Sequence, residues 1–278
     1  MGCGRAALGS LSEVATIFDP ERLVEIIQEL SGRLPSHSTT AQDERLKDVP
    51  GTLTLVDATL ITAMPRIMEA SVRKRRGESG TVKWRLHAHF EVDRHVPSRI
   101  DVTPNGGGDH DERAVRNRTI ESDRLHMKDR GYAKFQLFND IVAAGSSDIC
   151  RLRDNSVYEV VEDKPLTEAD RAAHVLSDQI VTFGKPTNST TNSTTNPINH
   201  PLRLVLVKIR PHVSKGKYKG GSSGIDSDGF LRLATNLLDI PAEIIALLYA
   251  YRWTIEIFYQ PPAAASASSN TCWAAATC

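Results

Sequence analysis

The sequence has few cysteines and no Cys-x-x-Cys pair, and its start lacks a signal for export. The four cysteines stand far apart, which argues against a zinc finger and against a secreted disulfide framework. The first residues lack a charged start followed by an apolar stretch, and no apolar run approaches the ~20 residues that span a bilayer. We therefore expect a soluble, cytoplasmic protein with reduced thiols.

The sequence also has no surplus of either charge. Lysine plus arginine equals aspartate plus glutamate at 34 each, so affinity for a polyanion has to come from local basic patches. Hydrophobic residues make up 40% of the 278 positions, which is enough for a sizeable core.

Strands and helices alternate in the predicted order, which favours a mixed sheet with helices packed on it. β-branched runs and alternation predict strands at 52–61, 82–93, 98–105, up to Asp129, 148–154, 157–163 and 201–210. Helical periodicity predicts two short helices within 10–34, the second starting near Asp19-Pro20, and others at 111–123, 134–145, 166–178 and 241–259. The pair 82–93 and 98–105 is expected to be antiparallel.

Turn and cap residues give further expectations. Gly145 closes the helix at 134–145, Pro241 suits a first helical turn, and Asp239 is able to cap just ahead of it. The polar run at 187–197 and the Gly- and Ser-rich segment at 215–229 are expected to be flexible loops.

Three acids occupy positions that are unfavourable for a charge. Asp57 lies inside an apolar strand, Asp129 ends a short strand where the chain turns, and Glu256 lies within the most apolar helix. A buried carboxylate is unfavourable unless it is paired or bound to a cation. For each acid taken alone, a cap or an ion-pair partner is the commoner explanation.

Helical spacing places Tyr249, Arg252 and Glu256 on one face. The simplest alternative is an ion pair between Arg252 and Glu256 within the helix, worth about 0.3–0.5 kcal/mol. That pair does not explain Asp57 or Asp129.

Three segments, TLVDATLI, KDRGYAKFQLF and YAYRWTIEIFYQ, follow one another in this order. Together they resemble the signatures of DDE transposases of bacterial insertion sequences, in the insertion-sequence-four group. Those signatures are Asp, a small residue and Thr on a first strand, then Asp-Arg-Gly-Tyr, then a helix with Tyr, Arg and Glu at this spacing. The resemblance covers most of the chain and implies that Asp57, Asp129 and Glu256 are the catalytic, metal-holding acids.

The resemblance implies an α/β fold with a ribonuclease H-like mixed sheet flanked by helices and a β-rich insertion before the last helix. The first two acids would stand on strands and the third on a late helix. The implied segments are an N-terminal helical segment (1–48), the first part of the core (49–156), the β-rich insertion with flexible loops (157–238), the core helix carrying the third acid (239–260) and an irregular tail (261–278).

The implied chemistry is phosphoryl transfer on DNA. Three converging carboxylates hold two divalent cations ~3.5–4 Å apart, and oxygen ligands select Mg²⁺ or Mn²⁺. The implied enzyme nicks the ends of a bacterial insertion element and joins the freed 3′ end to another strand. Its implied partners are double-stranded DNA at the element ends and the target, and a second copy of itself on that DNA, with no role for a membrane.

A neutral protein needs local basic surfaces to hold DNA. Arg252 would contact a phosphate, for which a planar guanidinium is well suited, and Tyr249 could hold the same backbone. The other candidate DNA-binding residues are Arg130, Lys215, Lys217 and Lys219. For the lysines, and for a second basic run at 66–76, a solvated loop is the alternative interpretation.

Two other patterns suggest metal ligands more weakly. His87 and His89 point to one side of a predicted strand, as ligands would, yet alternating polar residues on a half-exposed strand are commoner. The segment GGGDHD resembles a cation loop but lacks the spacing of an EF-hand, so a turn leading to a helix explains it better.

The end of the chain departs from the resemblance. The family's Lys, seven positions after Glu256, falls on Ala263. In another reading frame the codons for 270–278 can encode Lys-His-Leu-Leu-Gly-Cys-Arg-His-Leu, which resembles the family's usual continuation. We therefore expect that a frameshift damaged or truncated the gene's end. This leaves an inactive DNA-binding remnant, or a metal-dependent nuclease of the same fold, as alternatives to an active transposase.

Overall fold

The structure is a computed structural model that describes residues 20–34, 43–63, 82–104, 120–154, 156–183, 198–209, 229–252 and 255. Its helices are α1 (Pro20–Arg33), α2 (Phe135–Ala143), α3 (Glu168–Ala172) and α4 (Ala242–Ala250). Its strands are β1 (Thr52–Ala63), β2 (Val82–Glu91), β3 (Val96–Pro104), β4 (Arg124–Lys128), β5 (Ser147–Arg151), β6 (Tyr158–Asp163), β7 (Val175–Phe183), β8 (Leu202–Lys208) and β9 (Phe230–Thr235). Two compact units contain them: 20–34, 57–63 and 82–104 form one, and the other described residues form the second.

The first unit contains α1 and an antiparallel hairpin of β2 and β3. Ser31 near the end of α1 donates its hydroxyl to the Pro97 carbonyl at 2.8 Å. From the hairpin turn, Arg94 donates through Nη2 to the Leu34 carbonyl at 3.1 Å. The predicted helix starting near Pro20 and the predicted hairpin are both confirmed.

The second unit is built on a mixed sheet. Its strand order is β1-β4-β5-β9-β8-β7-β6, with β1 contributing the segment Thr52–Val56. The β1, β4 and β5 strands are parallel, whereas each later neighbour is antiparallel. This mixed sheet with its helices confirms the predicted α/β architecture and is consistent with a ribonuclease H-like fold, and β6 to β9 form the predicted β-rich segment before the last helix.

A glycine lets β1 start close to β4. Gly51 has φ +76°, and a Cβ there would lie 3.0 Å from both the carbonyl carbon and the oxygen of Asp123. The next residue, Thr52, donates its N–H to the same Asp123 carbonyl at 2.9 Å. Only glycine combines this φ with this approach, so Gly51 fixes where the parallel pairing begins.

The later strands share a core with helix α2. Phe138 on α2 is fully buried and belongs to one apolar cluster with Cys150 on β5, Val181 on β7 and Leu204 on β8. Strands β7 and β8 therefore belong to the same hydrophobic unit as β5, and burial of such side chains is the main stabilising term.

Four sequence-based predictions of helices need correction. The predicted helix at 166–178 ends at Ala172, because 175–183 is the strand β7, paired on both sides. The end of the predicted helix at 111–123 is not helical at 120–123, and its earlier residues lie outside the described ranges. The predicted helix at 241–259 is interrupted: α4 ends at Ala250, with Tyr251 as its C-cap, and Ile255 is again helical, while 253, 254 and 256–259 lie outside the described residues.

The fourth correction concerns the start of α4. The N-cap residue is Pro241, and the carboxylate that accepts the Glu243 N–H is that of Asp170, not Asp239. No helix in the part of the chain that the structure describes is both long enough and apolar enough to cross a membrane.

Candidate active site

Two of the predicted acids follow paired residues on neighbouring parallel strands. Val56 on β1 is the register partner of Lys128 on β4. Asp57 is the next residue after Val56, and Asp129 is the next residue after Lys128. β4 ends at this point, whereas β1 continues to Ala63. Both carboxylates belong to half-buried residues.

The Asp129 side chain is not used as a helix cap. Asp129 precedes a single 3₁₀ turn, Arg130–Tyr132, whose first hydrogen bond runs from the Tyr132 N–H to the Asp129 carbonyl at 2.9 Å. Although Asp129 occupies the N-cap position of this turn, its carboxylate makes no capping hydrogen bond. The turn therefore fixes the backbone of Asp129 and leaves its carboxylate for another role, and it places Arg130 directly after the acid.

An arginine on the next strand faces Asp129. Arg151, at the end of β5, places Nη1 3.9 Å from Asp129 Oδ1, which is a long ion pair. Asp129 Oδ1 is buried and receives no hydrogen bond from the described residues. A carboxylate oxygen with a distant positive charge and no donor is suited to binding a cation.

A buried ion pair lies directly before Asp129. Lys128 Nζ is 2.7 Å from Asp148 Oδ2, and the side chains are 2% and 0% exposed. The two groups are close but poorly directed for a regular hydrogen bond. Burial raises the pKa of Asp148, and the positive charge of Lys128 opposes that rise. The pair explains how a lysine is accommodated in a buried strand.

A tyrosine near the end of helix α4 and an arginine just beyond the helix lie against each other. Tyr249 is 2% exposed, and Arg252 Cζ lies 5.8 Å from the centre of its ring. Burial raises the pKa of Tyr249, Arg252 lowers it, and the charge of Asp129 raises it further. Tyr249 is therefore within electrostatic reach of Asp129. The predicted companions Tyr249 and Arg252 lie together, and the charge of Asp129 acts on the Tyr249 hydroxyl.

Several predicted site residues lie outside the described ranges. These are Glu256, Lys215, Lys217 and Lys219, together with the basic run at 66–76 and the segment GGGDHD. Within the described ranges, no group of three or more His, Cys, Asp or Glu side chains could hold a metal ion. Of the two histidines considered as weaker candidates, His87 is fully buried and His89 is half-buried.

Sequence reasoning missed four residues that shape this region. Arg151 contacts Asp129, while Asp170, Asp178 and Arg203 organise the start of α4. One signal was available, since Arg203 interrupts an apolar strand just as Asp57 does. The partners of Arg203 are 25 to 37 residues away in the sequence, so they could not be read from its local pattern.

A family model described as "Transposase DDE domain" matches residues 49–260 of the chain. Among solved structures, the chain is similar to one described as a cryo-EM structure of a piggyBac transposase synaptic complex with hairpin DNA. The identity is 10% and the TM-score 0.41, over 76% of this chain and 40% of that chain. The chain thus spans less than half of that transposase. None of the curated proteins compared with it matches its sequence.

Proposed function

The chain belongs to the transposase DDE domain family, and on that premise we propose that it cuts DNA at the ends of an insertion element and transfers the strands. The proposed catalytic and metal-holding acids are Asp57, Asp129 and Glu256. The proposed place of action is the bacterial cytoplasm, on the nucleoid. Within the chain, 49–156 and 239–260 would form the catalytic core, and 157–238 the insertion.

One observation supports this assignment most strongly. Asp57 and Asp129 each directly follow a residue of the Val56–Lys128 pair on parallel strands. In open α/β sheets, ligands bind beyond the carboxyl ends of the strands, and β4 ends immediately before Asp129.

The donor set suits Mg²⁺ or Mn²⁺. Carboxylate oxygens are the ligands these ions prefer, and Asp129 Oδ1 is a buried oxygen without a donor among the described residues. When two such ions are bound, they supply activation of the attacking hydroxyl and stabilisation of the leaving oxygen. Asp57, Asp129 and Glu256 would hold them.

The chain's own cations would position DNA. Arg252 is buried just beyond the end of α4, with its guanidinium over the Tyr249 ring, which restricts it to few orientations. A guanidinium held in this way is suited to one phosphate near the cut. Arg130, next to Asp129, would contact the neighbouring phosphate, and Lys215, Lys217 and Lys219 would hold the flanking duplex. We propose that two copies act together on the DNA.

A cleavage assay tests the proposal. Purified protein is incubated with Mg²⁺ and a labelled DNA duplex from the element end that flanks its gene. Joined products support transposition, cuts without joining indicate a nuclease, and retarded DNA without cuts indicates a binding remnant. Asp57→Ala is expected to abolish cutting and joining, while the variant still binds the DNA. Unchanged turnover in this variant would refute the assignment of Asp57.

The remnant is the second candidate because Ala263 replaces the family's Lys. A frameshift near the end of the gene would account for this replacement. Sequencing of the locus tests the cause: a second frame encoding the expected continuation supports it, and a frame without that peptide rejects it.

A further inference from the structure

Charged residues from the inserted strands converge on the loop that precedes α4. The loop runs from Leu237 to Pro241, between the end of β9 and the helix. The contributing residues are Lys164 just after β6, Asp170 on α3, Asp178 on β7 and Arg203 on β8. They all belong to the same compact unit as the loop.

Arg203 on β8 is the centre of this arrangement. Its guanidinium donates to both carboxylate oxygens of Asp178, from Nε to Oδ1 and from Nη2 to Oδ2, each at 2.6 Å. The side chains of this pair are 2% and 5% exposed. A planar guanidinium held at two points in this way points its remaining nitrogen in a fixed direction.

That remaining nitrogen is directed at the loop. Arg203 Nη1 donates to the carbonyls of Leu237 at 3.1 Å and Leu238 at 3.4 Å, and also to the carbonyl of Ile240. Lys164 Nζ donates to the same Leu238 carbonyl at 2.5 Å. Cations thus bind three carbonyls of the loop, which fixes the path of the backbone into α4.

Asp170 connects the first turns of two helices. Its Oδ2 accepts the N–H and the hydroxyl of Thr167, each at 2.8 Å, and so closes the capping box of α3. Its Oδ1 accepts the Glu243 N–H in the first turn of α4 at 2.9 Å. The start of α4 is therefore held both by its loop and by a carboxylate from another helix.

These contacts hold the first turn of the helix whose last turn carries Tyr249 and which is followed by Arg252. Because α4 is short, a shift or tilt at its first turn is transmitted to Arg252 and to the residues that follow. Building on the proposed function, we infer that Arg203, fixed by Asp178, is a positioning residue for the reaction. It sets the placement of α4, and through α4 that of the proposed DNA-binding pair Tyr249 and Arg252.

The test compares Arg203→Lys with Arg232→Lys. Lysine at 203 keeps one charge but cannot donate to Asp178 and to the loop carbonyls in the same geometry. Arg232 lies on the adjacent strand β9 and pairs with Asp154 at 3.7 Å, so Arg232→Lys is the same substitution away from the loop. Asp178→Asn, which keeps one acceptor for Arg203, serves as a second variant if Arg203→Lys does not fold.

The expected result has two parts. Amide hydrogen exchange in 242–250 becomes about tenfold faster in Arg203→Lys, as expected for losing charged hydrogen bonds, while exchange in 124–128 is unchanged. With Mg²⁺ and the labelled element-end duplex, kcat for cleavage falls by about 100-fold, the effect of a small misplacement at a reacting centre, with KM for the duplex unchanged. Arg232→Lys changes neither quantity.

Unchanged exchange in 242–250, or faster exchange with the kcat of the wild-type protein, overturns the inference. If the wild-type protein does not cleave, the proposed function fails by itself. Amide hydrogen exchange then tests whether Arg203 fixes the position of α4. Faster exchange in Arg203→Lys that is confined to 242–250 supports this, and its absence refutes it.

Discussion

Lys128 and Asp148 form an ion pair of 2.7 Å between neighbouring parallel strands, with almost no exposure of either side chain. Lys128 Nζ also lies 5.1 Å from the centre of the Phe138 ring. The pair joins β4 to β5 one residue before Asp129, so it supports the strand end at which the proposed site is built.

Lys128→Met is expected to lower the free energy of unfolding by about 3–5 kcal/mol, because it leaves Asp148 buried without its positive partner. Urea unfolding of the variant measures the loss. The matched control is the double variant Lys128→Met with Asp148→Leu, which removes both charges and is expected to recover most of the stability. A double variant as unstable as the single one would contradict this explanation.

Glu243 and Asp170 give a pH dependence of stability. Burial, followed by the hydrogen bond with Asp170, raises the pKa of Glu243 above its ordinary value of 4.5. A group whose pKa is raised by folding stabilises the folded state fully at pH values below its unfolded-state pKa. This contribution is lost as the pH rises through its folded-state pKa. Glu243→Gln keeps a donor for Asp170 and cannot ionise, so its stability relative to wild type is expected to increase with pH above about 4.5.

Urea unfolding across that range measures the difference between Glu243→Gln and the wild-type protein. Burial also acts on Asp170 by raising its pKa, but the hydrogen bonds from Glu243 and Thr167 outweigh it, and the net pKa is lowered. Asp170 therefore stabilises the folded state at pH values above its ordinary pKa of 3.8, so it does not oppose the trend expected for Glu243→Gln. Glu168→Gln, on the exposed face of α3, is the control and should follow the wild type. A difference for Glu243→Gln that is constant with pH would contradict the prediction.

Much of the fold was readable from the sequence where one local pattern dominated. Alternating residues predicted the hairpin of β2 and β3, and the apolar run ending at Gly145 predicted α2 and its left-handed closing residue, with φ 71°. The strand β7 was missed because its first residues continue the helical pattern of α3. Pairing with β6 and β8 decides its structure, and such pairing between distant segments leaves no local pattern.

The candidate site, like the fold, was predicted from the sequence only in part. The motifs predicted Asp57, Asp129, Tyr249 and Arg252, and the structure puts the last two against each other. The contacts that hold α4 were not predicted, because Arg203 and Asp170 act on carbonyls and N–H groups that any residue provides. A sequence pattern shows which side chain is present, whereas backbone acceptors of this kind carry no residue-specific signal.

Gly51→Ala is expected to lower the free energy of unfolding by more than the ~1–2 kcal/mol of a left-handed backbone alone, because the added Cβ meets the Asp123 backbone at 3.0 Å. Gly145→Ala is the matched control: its φ is +71°, but nothing lies within 4 Å of the added Cβ. Chemical denaturation of the two variants isolates the cost of the close approach. Equal losses would show that β1 and β4 can separate slightly at no cost.

Asp129→Asn tests the proposed site with a close structural control elsewhere on the sheet. Asp129 pairs with Arg151 at 3.9 Å and Asp154 pairs with Arg232 at 3.7 Å, and the two aspartate side chains are 36% and 39% exposed. Loss of a general structural ion pair would therefore affect Asp129→Asn and Asp154→Asn alike. Even outer partners of metal ligands contribute about 10- to 100-fold, so Mg²⁺-dependent cleavage is expected to fall more than about 100-fold in Asp129→Asn. In Asp154→Asn it should stay near the wild-type rate, and equal rates in the two variants would remove Asp129 from the metal-holding set.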